Sequence, residues 1–303
     1  MNLNNKIIQI ICLILLILII MILNSTNNIE KFTTNKSQPY LFSYWEKKTP
    51  DAKIPEYILL CLESMVRNGK LFKVVVLNQQ TIKDYLPDLR TDIQSLPMAL
   101  KTDYLRIRLL EKFGGVWADA DTIILQDLHQ IVKLLSDGVD FIGFGCTGDK
   151  CKETDGYGKP SNWVMGSQKQ GTLISMCRKE LDDVLDTHFK NPNSKQFDYF
   201  DLGKLIIWKQ LEKLLKTGYS YYHFPSEVDG TRDKSGLWIA PNIIFEKDFD
   251  INIDSLLLMG LANQYYCGSD PTYNWFCKLS ESEIMNSKLF IAKVFKKAFG
   301  FDA

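Results

Sequence analysis

Four charged side chains in the stretch Lys101–Leu125 have types and spacings suited to chemistry: Asp103, Arg106, Asp119 and Asp121. Asp119 and Asp121 are two apart, so on an extended segment both carboxylates point to one face. Like charges that close raise each other's pKa unless something positive intervenes. A hard divalent cation held by carboxylate oxygens relieves the repulsion, and its open positions suit phosphate oxygens. Asp103 and Arg106 are three apart, hence neighbours on a helix surface. They fall in the middle of an apolar side made by Ile107, Leu109, Leu110 and Phe113. A charge buried there needs a partner or a ligand. The plainer alternative for the acid pair is a strand that ends at a solvated turn. The apolar run Ile123-Ile124-Leu125 continues past it and argues against that ending.

The elements that must hold these residues follow from the pattern. The first half of Lys101–Leu125 has helical spacing, with Lys101, Arg108 and Lys112 clustered on the side away from the apolar one. Ser95 can cap this helix, with Pro97 in its first turn, and Gly114-Gly115 stops it. Val116–Leu125 then reads as one strand. Upstream, Pro39–Trp45 has the character of a first strand. Pro55 starts a helix over Tyr57–Arg67 with Ile58, Cys61, Leu62 and Met65 inward, and Lys73–Leu77 is a second strand. This strand–helix–strand opening predicts a nucleotide-binding α/β half. Trp45 stands at the carboxyl end of the first strand, where open α/β sheets bind ligands. Downstream, Leu173–His188 and Leu202–Leu215 read as long helices, Asp140–Gly145 and Tyr219–Phe224 as strands, and Lys288–Phe299 as a closing amphipathic helix. No repeat and no glycine-rich phosphate loop is present.

The order Asp103, Arg106, Gly114-Gly115, Asp119-Ala-Asp121 resembles the signature of DxD glycosyltransferases with the GT-A fold. It is most similar to the capsular polysaccharide synthesis proteins and glycosyltransferase family 32, and the large clostridial glucosylating toxins share the constellation. The resemblance implies an α/β GT-A fold, with a mixed central sheet flanked by helices. It implies transfer of a sugar from a nucleotide-diphosphate sugar to a hydroxyl of a glycan or glycolipid acceptor, with retention of anomeric configuration. Asp121 is then the direct ligand of Mn²⁺ or Mg²⁺, and Asp119 binds the metal through water or holds the ribose and sugar. Asp103 and Arg106 contact donor hydroxyls, Arg106 also faces the phosphates, and Trp45 stacks on the donor's base. An Asn- or Gly-containing segment such as Asn162–Gly166 lines the acceptor side in the relatives. A late metal ligand, often His, is usual in the fold. Here His223 is the sole late histidine, and Glu227, Asp229, Asp233 or Asp270 are the substitutes. No acid is clearly placed as a catalytic nucleophile.

Length, charge and the amino end bound the rest. The chain has 303 residues, enough for one large domain, and 36 acids balance 36 bases. That balance argues against a broad nucleic-acid surface. Ile7–Leu23 is apolar except for Gln9 and reads as an uncleaved membrane anchor, at about 1.5 Å per residue close to the minimum span. A cleaved signal peptide is the rival reading. The expected division is a tail at 1–6, an anchor at 7–23, a flexible stem at 24–38 and the catalytic domain at 39–303, on the lumenal or extracytoplasmic side of the membrane. Asn24 and Asn35 begin glycosylation sequons. Of seven cysteines, Cys146 with Cys151 and Cys267 with Cys277 are possible disulfides, with free buried thiols the alternative.

Two other functions fit parts of the pattern. Asp119-Ala-Asp121-Thr122 after an apolar run is similar to the nucleophile motif of haloacid-dehalogenase-type phosphatases. That chemistry needs the first Asp at a strand's end, and the fifth position is Ile123 rather than Thr or Val. The other is a membrane-anchored carbohydrate-binding protein with an inactive transferase site.

Overall fold

Tyr40–Tyr44 (β1) is an aromatic and aliphatic run whose Leu41 and Phe42 are fully buried on opposite faces of a sheet. The computed structural model describes residues 38–47, 49, 51–145, 158–191, 193–232, 239, 251–267 and 272–301. Residues Pro39–Ala303 form one unit. Among the described residues no helix is long and apolar enough to cross a membrane. The Ile7–Leu23 run, residues 24–37 of the stem and the Cys146–Cys151 pair lie outside them.

From β1 the chain forms α1 (Glu56–Asn68), begun at Pro55, and returns as β2 (Lys73–Leu77), parallel to β1 with Phe42 opposite Val75. The one-turn α2 (Ile82–Tyr85) leads to the central helix α3 (Met98–Phe113). Its N-cap is Pro97 with no side-chain bond. Ser95 belongs to the 3₁₀ turn before it and donates to Asp92 O instead, so the expected Ser cap is not made. Then come β3 (Gly115–Ala118), β4 (Thr122–Ile124), α4 (His129–Ser136), β5 (Phe141–Gly143), β6 (Val164–Ser167), α5 (Thr172–Lys190), α6 (Lys204–Leu215) and β7 (Tyr222–His223). The last part holds β8 (Leu258–Gly260), two short helices, α7 (Asn263–Tyr266) and α8 (Glu281–Asn286), and α9 (Phe290–Ala298).

Six strands form a mixed sheet in the order β2-β1-β3-β6-β5-β7, and β4 pairs with β8 in a separate ribbon. β3 runs parallel to β1 and antiparallel to β6. The fold is therefore mixed α/β with a mixed central sheet. Leu105 and Leu109 of α3 share a core with Trp117 of β3 and with Leu173, Leu181 and Ile207 of α5 and α6. Sandwiched this way, α3 has no solvated side. Lys101 is 4 % exposed and Arg108 6 %, contrary to the polar face its spacing predicts. Each finds a partner: Lys101 Nζ lies 2.7 Å from Glu46 Oε2, and Arg108 donates to Asp88 Oδ2 (2.7 Å) and the Tyr104 hydroxyl.

Gly114 ends α3 at φ 69°, and Gly115 opens β3 at φ 97°. A Cβ on Gly115 would stand 2.3 Å from Tyr40 O, inside the β1 backbone. Gly115→Ala is therefore expected to cost roughly 2–4 kcal/mol, from a left-handed backbone and a clash together. Urea denaturation measures it. A midpoint equal to wild type would show that this junction tolerates a side chain.

Candidate functional site

The sheet order puts β2 on one side of β1 and β3 on the other, so the chain reverses direction across the sheet there. Phe42 of β1 stands opposite Trp117 of β3. Trp45, just past β1, and Asp119, just past β3, thus leave the same edge of the sheet, the crevice position for ligands in open α/β folds. A cleft of about 500 Å³ opens at this edge. Trp45, Glu46, Thr102, Asp119, Asp121 and Tyr199 are on its walls, with Asn263 and the Cys267–Cys277 disulfide. Trp45 is half-buried, its N–H bonded to Leu77 O (3.0 Å), and it packs against the core of α1 while facing the cleft.

The acids do not lie on one strand. Asp119 N donates to Trp163 O (2.8 Å), and Thr122 N then closes a turn on Asp119 O (3.0 Å). The chain leaves the main sheet at this turn and joins β8, with Thr122 opposite Gly260. Val116–Leu125, read as one strand, is two strands in two sheets, because Ile123 and Ile124 bury themselves against a late strand that local spacing does not reveal. The turn, not the pleat, brings the two carboxylates together. Nor is it a solvated ending: both acids are half-buried.

Each carboxylate is held. Asp119 Oδ1 accepts from the Trp117 indole (2.7 Å) and from Arg106 (3.0 Å). Asp121 Oδ2 accepts from Asn263 N (3.0 Å), and Leu261 N donates to Asp121 O (2.9 Å). Asn263 is itself held by the Tyr57 hydroxyl, which also lies 3.5 Å from Cys267 Sγ. Arg106 bonds Asn162 O (2.6 Å) and sits 3.2 Å from Asp103 Oδ1, which accepts from Asn162 Nδ2 (2.7 Å). Asp103 and Arg106, each 4 % exposed, are not among the cleft-lining residues and stand behind Asp119. Arg106 Nε is buried with no partner among the described residues.

Three acids share one guanidinium. Burial pushes the Asp103 carboxyl up to about 7, with the Asp119 charge adding and Arg106 and Asn162 opposing. Burial, then the charge of Asp119, pushes Asp121 up to about 7. Asp119 is also raised by burial, against Arg106 and Trp117. Oxygen donors short of positive charge suit a hard divalent cation. Asp119 and Asp121 supply two carboxylates, and no cluster of three or more His, Cys, Asp or Glu able to hold a metal occurs among the described residues.

The late residues resolve differently from the sequence reading. His223 is on β7, separated from β3 by β5 and β6, with Nδ1 3.3 Å from the Tyr221 hydroxyl, and it does not line the cleft. Glu227 is exposed away from the cleft lining. Asp229 is fully buried and accepts from Gly145 N, Thr231 N and Thr231 Oγ1, which makes it a loop anchor. Asp233 and Asp270 lie outside the described residues. Among the described residues, the late contribution to the acids is the Asn263 backbone N–H, in the Asn263-Gln-Tyr-Tyr segment. Tyr199 carried no signal beyond its aromaticity, since its place on the cleft depends on how α5 and α6 pack.

The raised acids set a pH response. Asp103 and Asp121 titrate near 7 in the fold and near 4 in the unfolded chain, so between those values the fold holds more protons. Stability of the metal-free protein must then fall as pH rises from about 4 to 7. Thermal melts in chelator from pH 5 to 8 should show a falling midpoint, and Asp121→Asn should flatten it. A midpoint that rises across this range in wild type would contradict the buried-acid assignment.

No curated protein matches the chain by sequence. Among solved structures it is similar to the glycosyltransferase GlyE of Streptococcus pneumoniae TIGR4, with TM-score 0.46 and 13 % identity over 83 % of this chain and 63 % of that one. The chain therefore spans less than two thirds of GlyE. A glycosyltransferase involved in glycosylation of the major capsid of PBCV-1 gives TM-score 0.40 and 11 % identity over 80 % of this chain and 100 % of that one. The PaToxG glycosyltransferase gives 0.39 and 11 % over 59 % and 70 %. The family model described as capsular polysaccharide synthesis protein matches residues 19–221, more than half of the chain and a range that includes Asp103, Arg106, Asp119 and Asp121, and the chain belongs to that family.

Proposed function

We propose that the chain is a metal-dependent glycosyltransferase that moves a sugar from a nucleotide-diphosphate sugar to a hydroxyl of a glycan or glycolipid, with retention. The observation that carries the reading is the Asp119–Asp121 turn, set in a cleft at the strand ends beside a tryptophan and deficient in positive charge. Family membership supports it. The bond from the anomeric carbon to the diphosphate oxygen breaks, a bond to the acceptor oxygen forms, and the acceptor proton leaves with the diphosphate. A Mn²⁺ or Mg²⁺ held by Asp121 directly and Asp119 through water would offset the charge on the departing diphosphate. Arg106 fixes Asp119 and adds positive charge behind it. No side chain is required as a nucleophile in a front-face displacement.

The Ile7–Leu23 run is the proposed anchor, with the catalytic domain on the extracytoplasmic side, where the Cys267–Cys277 disulfide would persist. One observation favours a second reading: β3 ends at Ala118, so Asp119 has the strand-end position that a phosphatase nucleophile needs. Its Oδ1 is engaged by Trp117 and Arg106, which reduces its nucleophilicity.

Calorimetric titration of nucleotide-sugars, followed by product analysis with Mn²⁺ or chelator, tests the proposal. Donor consumption that needs metal and disappears in Asp121→Ala is expected, with the variant's fold retained. Turnover of a simple phosphate ester without any nucleotide-sugar consumption would replace it with the phosphatase. Donor binding with neither hydrolysis nor transfer would make the chain a binding protein with an inactive site.

If Trp45 carries the base, Trp45→Ala should raise donor Kd roughly fivefold to hundredfold, the range of one lost stacking contact. A lowered melting temperature with unchanged donor Kd would leave Trp45 a packing residue.

A further inference from the structure

The transferase reading gives roles to Trp45, the acids and Arg106 but none to the most exposed aromatic ring on the cleft. Tyr199 lines the cleft and is 56 % exposed. It comes from the connection between α5 and α6, whereas Trp45 comes from the β1–α1 loop. Asp119 and Asp121 line the same cleft, and much of the Tyr199 ring meets solvent.

The segment that carries Tyr199 is firmly placed. Leu202 is fully buried. Gly203 packs so closely on the acid cluster that a Cβ there would lie 2.4 Å from Asp103 Cγ and 2.3 Å from Asn162 Nδ2. Asp198 N donates to Asp201 Oδ2 (2.7 Å), and Asp201 N donates back to Asp198 O (3.1 Å). The Phe200 ring meets Tyr199 edge-on with centroids 4.9 Å apart, and Lys204 Nζ sits 3.9 Å from the Phe200 centroid. Tyrosine is intermediate between core and surface, so exposure alone marks nothing, and position decides. One that is exposed, pre-positioned and at the mouth of a ligand cleft is a ready contact surface.

The chemistry of the cleft narrows what covers it. With the base on Trp45 and the diphosphate at Asp119–Asp121, the attacking hydroxyl must enter from a wall these groups leave open. Tyr199 occupies such a wall. A pyranose presents an apolar C–H face to an aromatic ring while its hydroxyls stay hydrated, so stacking buries apolar area at little polar cost. Water or a small side-chain hydroxyl gains nothing there. We propose that Tyr199 is the platform on which the acceptor's sugar ring stacks, so that the acceptor is sugar-terminated; this rests on the transferase reading above.

The test reads binding apart from turnover. The chain and its Tyr199→Ala and Tyr199→Phe variants are titrated with free gluco-, galacto- and mannotriose. Saturation-transfer NMR and the acceptor KM are followed beside the donor Kd. At least one trisaccharide should bind wild type. Tyr199→Ala should weaken it about tenfold, with the acceptor KM moving several times further than the donor Kd, and Tyr199→Phe should stay within about threefold of wild type. No binding by any trisaccharide, equal binding by Tyr199→Ala, or equal shifts in acceptor and donor constants would overturn the platform. Ring-dependent sugar binding without nucleotide-sugar consumption would leave the platform standing and fail the transferase reading.

Discussion

The site depends on one guanidinium. Arg106 reaches Asp119 through one terminal nitrogen and Asp103 and the Asn162 carbonyl through the other, a span that a planar fork has and a single ammonium nitrogen lacks. Without it, two acids would stand in a largely buried setting with no cation, a situation worth several kcal/mol of destabilisation. Placing Arg106 there requires α3 to be enclosed by the sheet and by α5 and α6. That enclosure forces Lys101 and Arg108, on the other side of the helix, to find partners in Glu46 and Asp88. The ion pairs around α3 are thus consequences of one demand, that a cation face the strand end from inside.

The charge is still unbalanced. Asp103, Asp119 and Asp121 outnumber Arg106, and each is raised above the ordinary carboxylate range with burial as the leading cause. A bare diphosphate would meet repulsion in such a cleft. Under the proposed function, the same imbalance makes the ligand-free protein prefer protons and the working protein prefer a divalent cation.

Distant parts of the chain meet at Asp121. The turn after β3 sends the chain to β8, and the segment after β8 returns Asn263 to the Asp121 carboxylate. The Cys267–Cys277 bridge closes that segment on the cleft wall, and Tyr57 of α1 ties it down through Asn263. The half of the chain that opens with β1 and the half that ends with α9 therefore each supply one side of the acid turn.

What the sequence determined by itself was local. The spacing of Asp103 and Arg106, the glycine stop and the Asp-Ala-Asp pair are contiguous, so helix period and residue type exposed them together, although the pair reads as strand and not as the turn it is, and the β1–α1–β2 opening was legible because it too is local. Trp45 followed from its place at a strand end. Tertiary structure decided the rest. Val116–Leu125 reads as one strand because β propensity is local, whereas the partner that captures Thr122–Ile124 lies more than a hundred residues away. Lys101 and Arg108 look solvated because periodicity shows only which residues share a face, not that a second layer covers it. His223 and Asn263 are both late polar residues, and only the sheet order removes the first from the cleft and brings the second to Asp121. Tyr199 owes its position to Gly203 packing on Asp103 and Asn162, a contact among three segments far apart in the chain that no sequence period encodes.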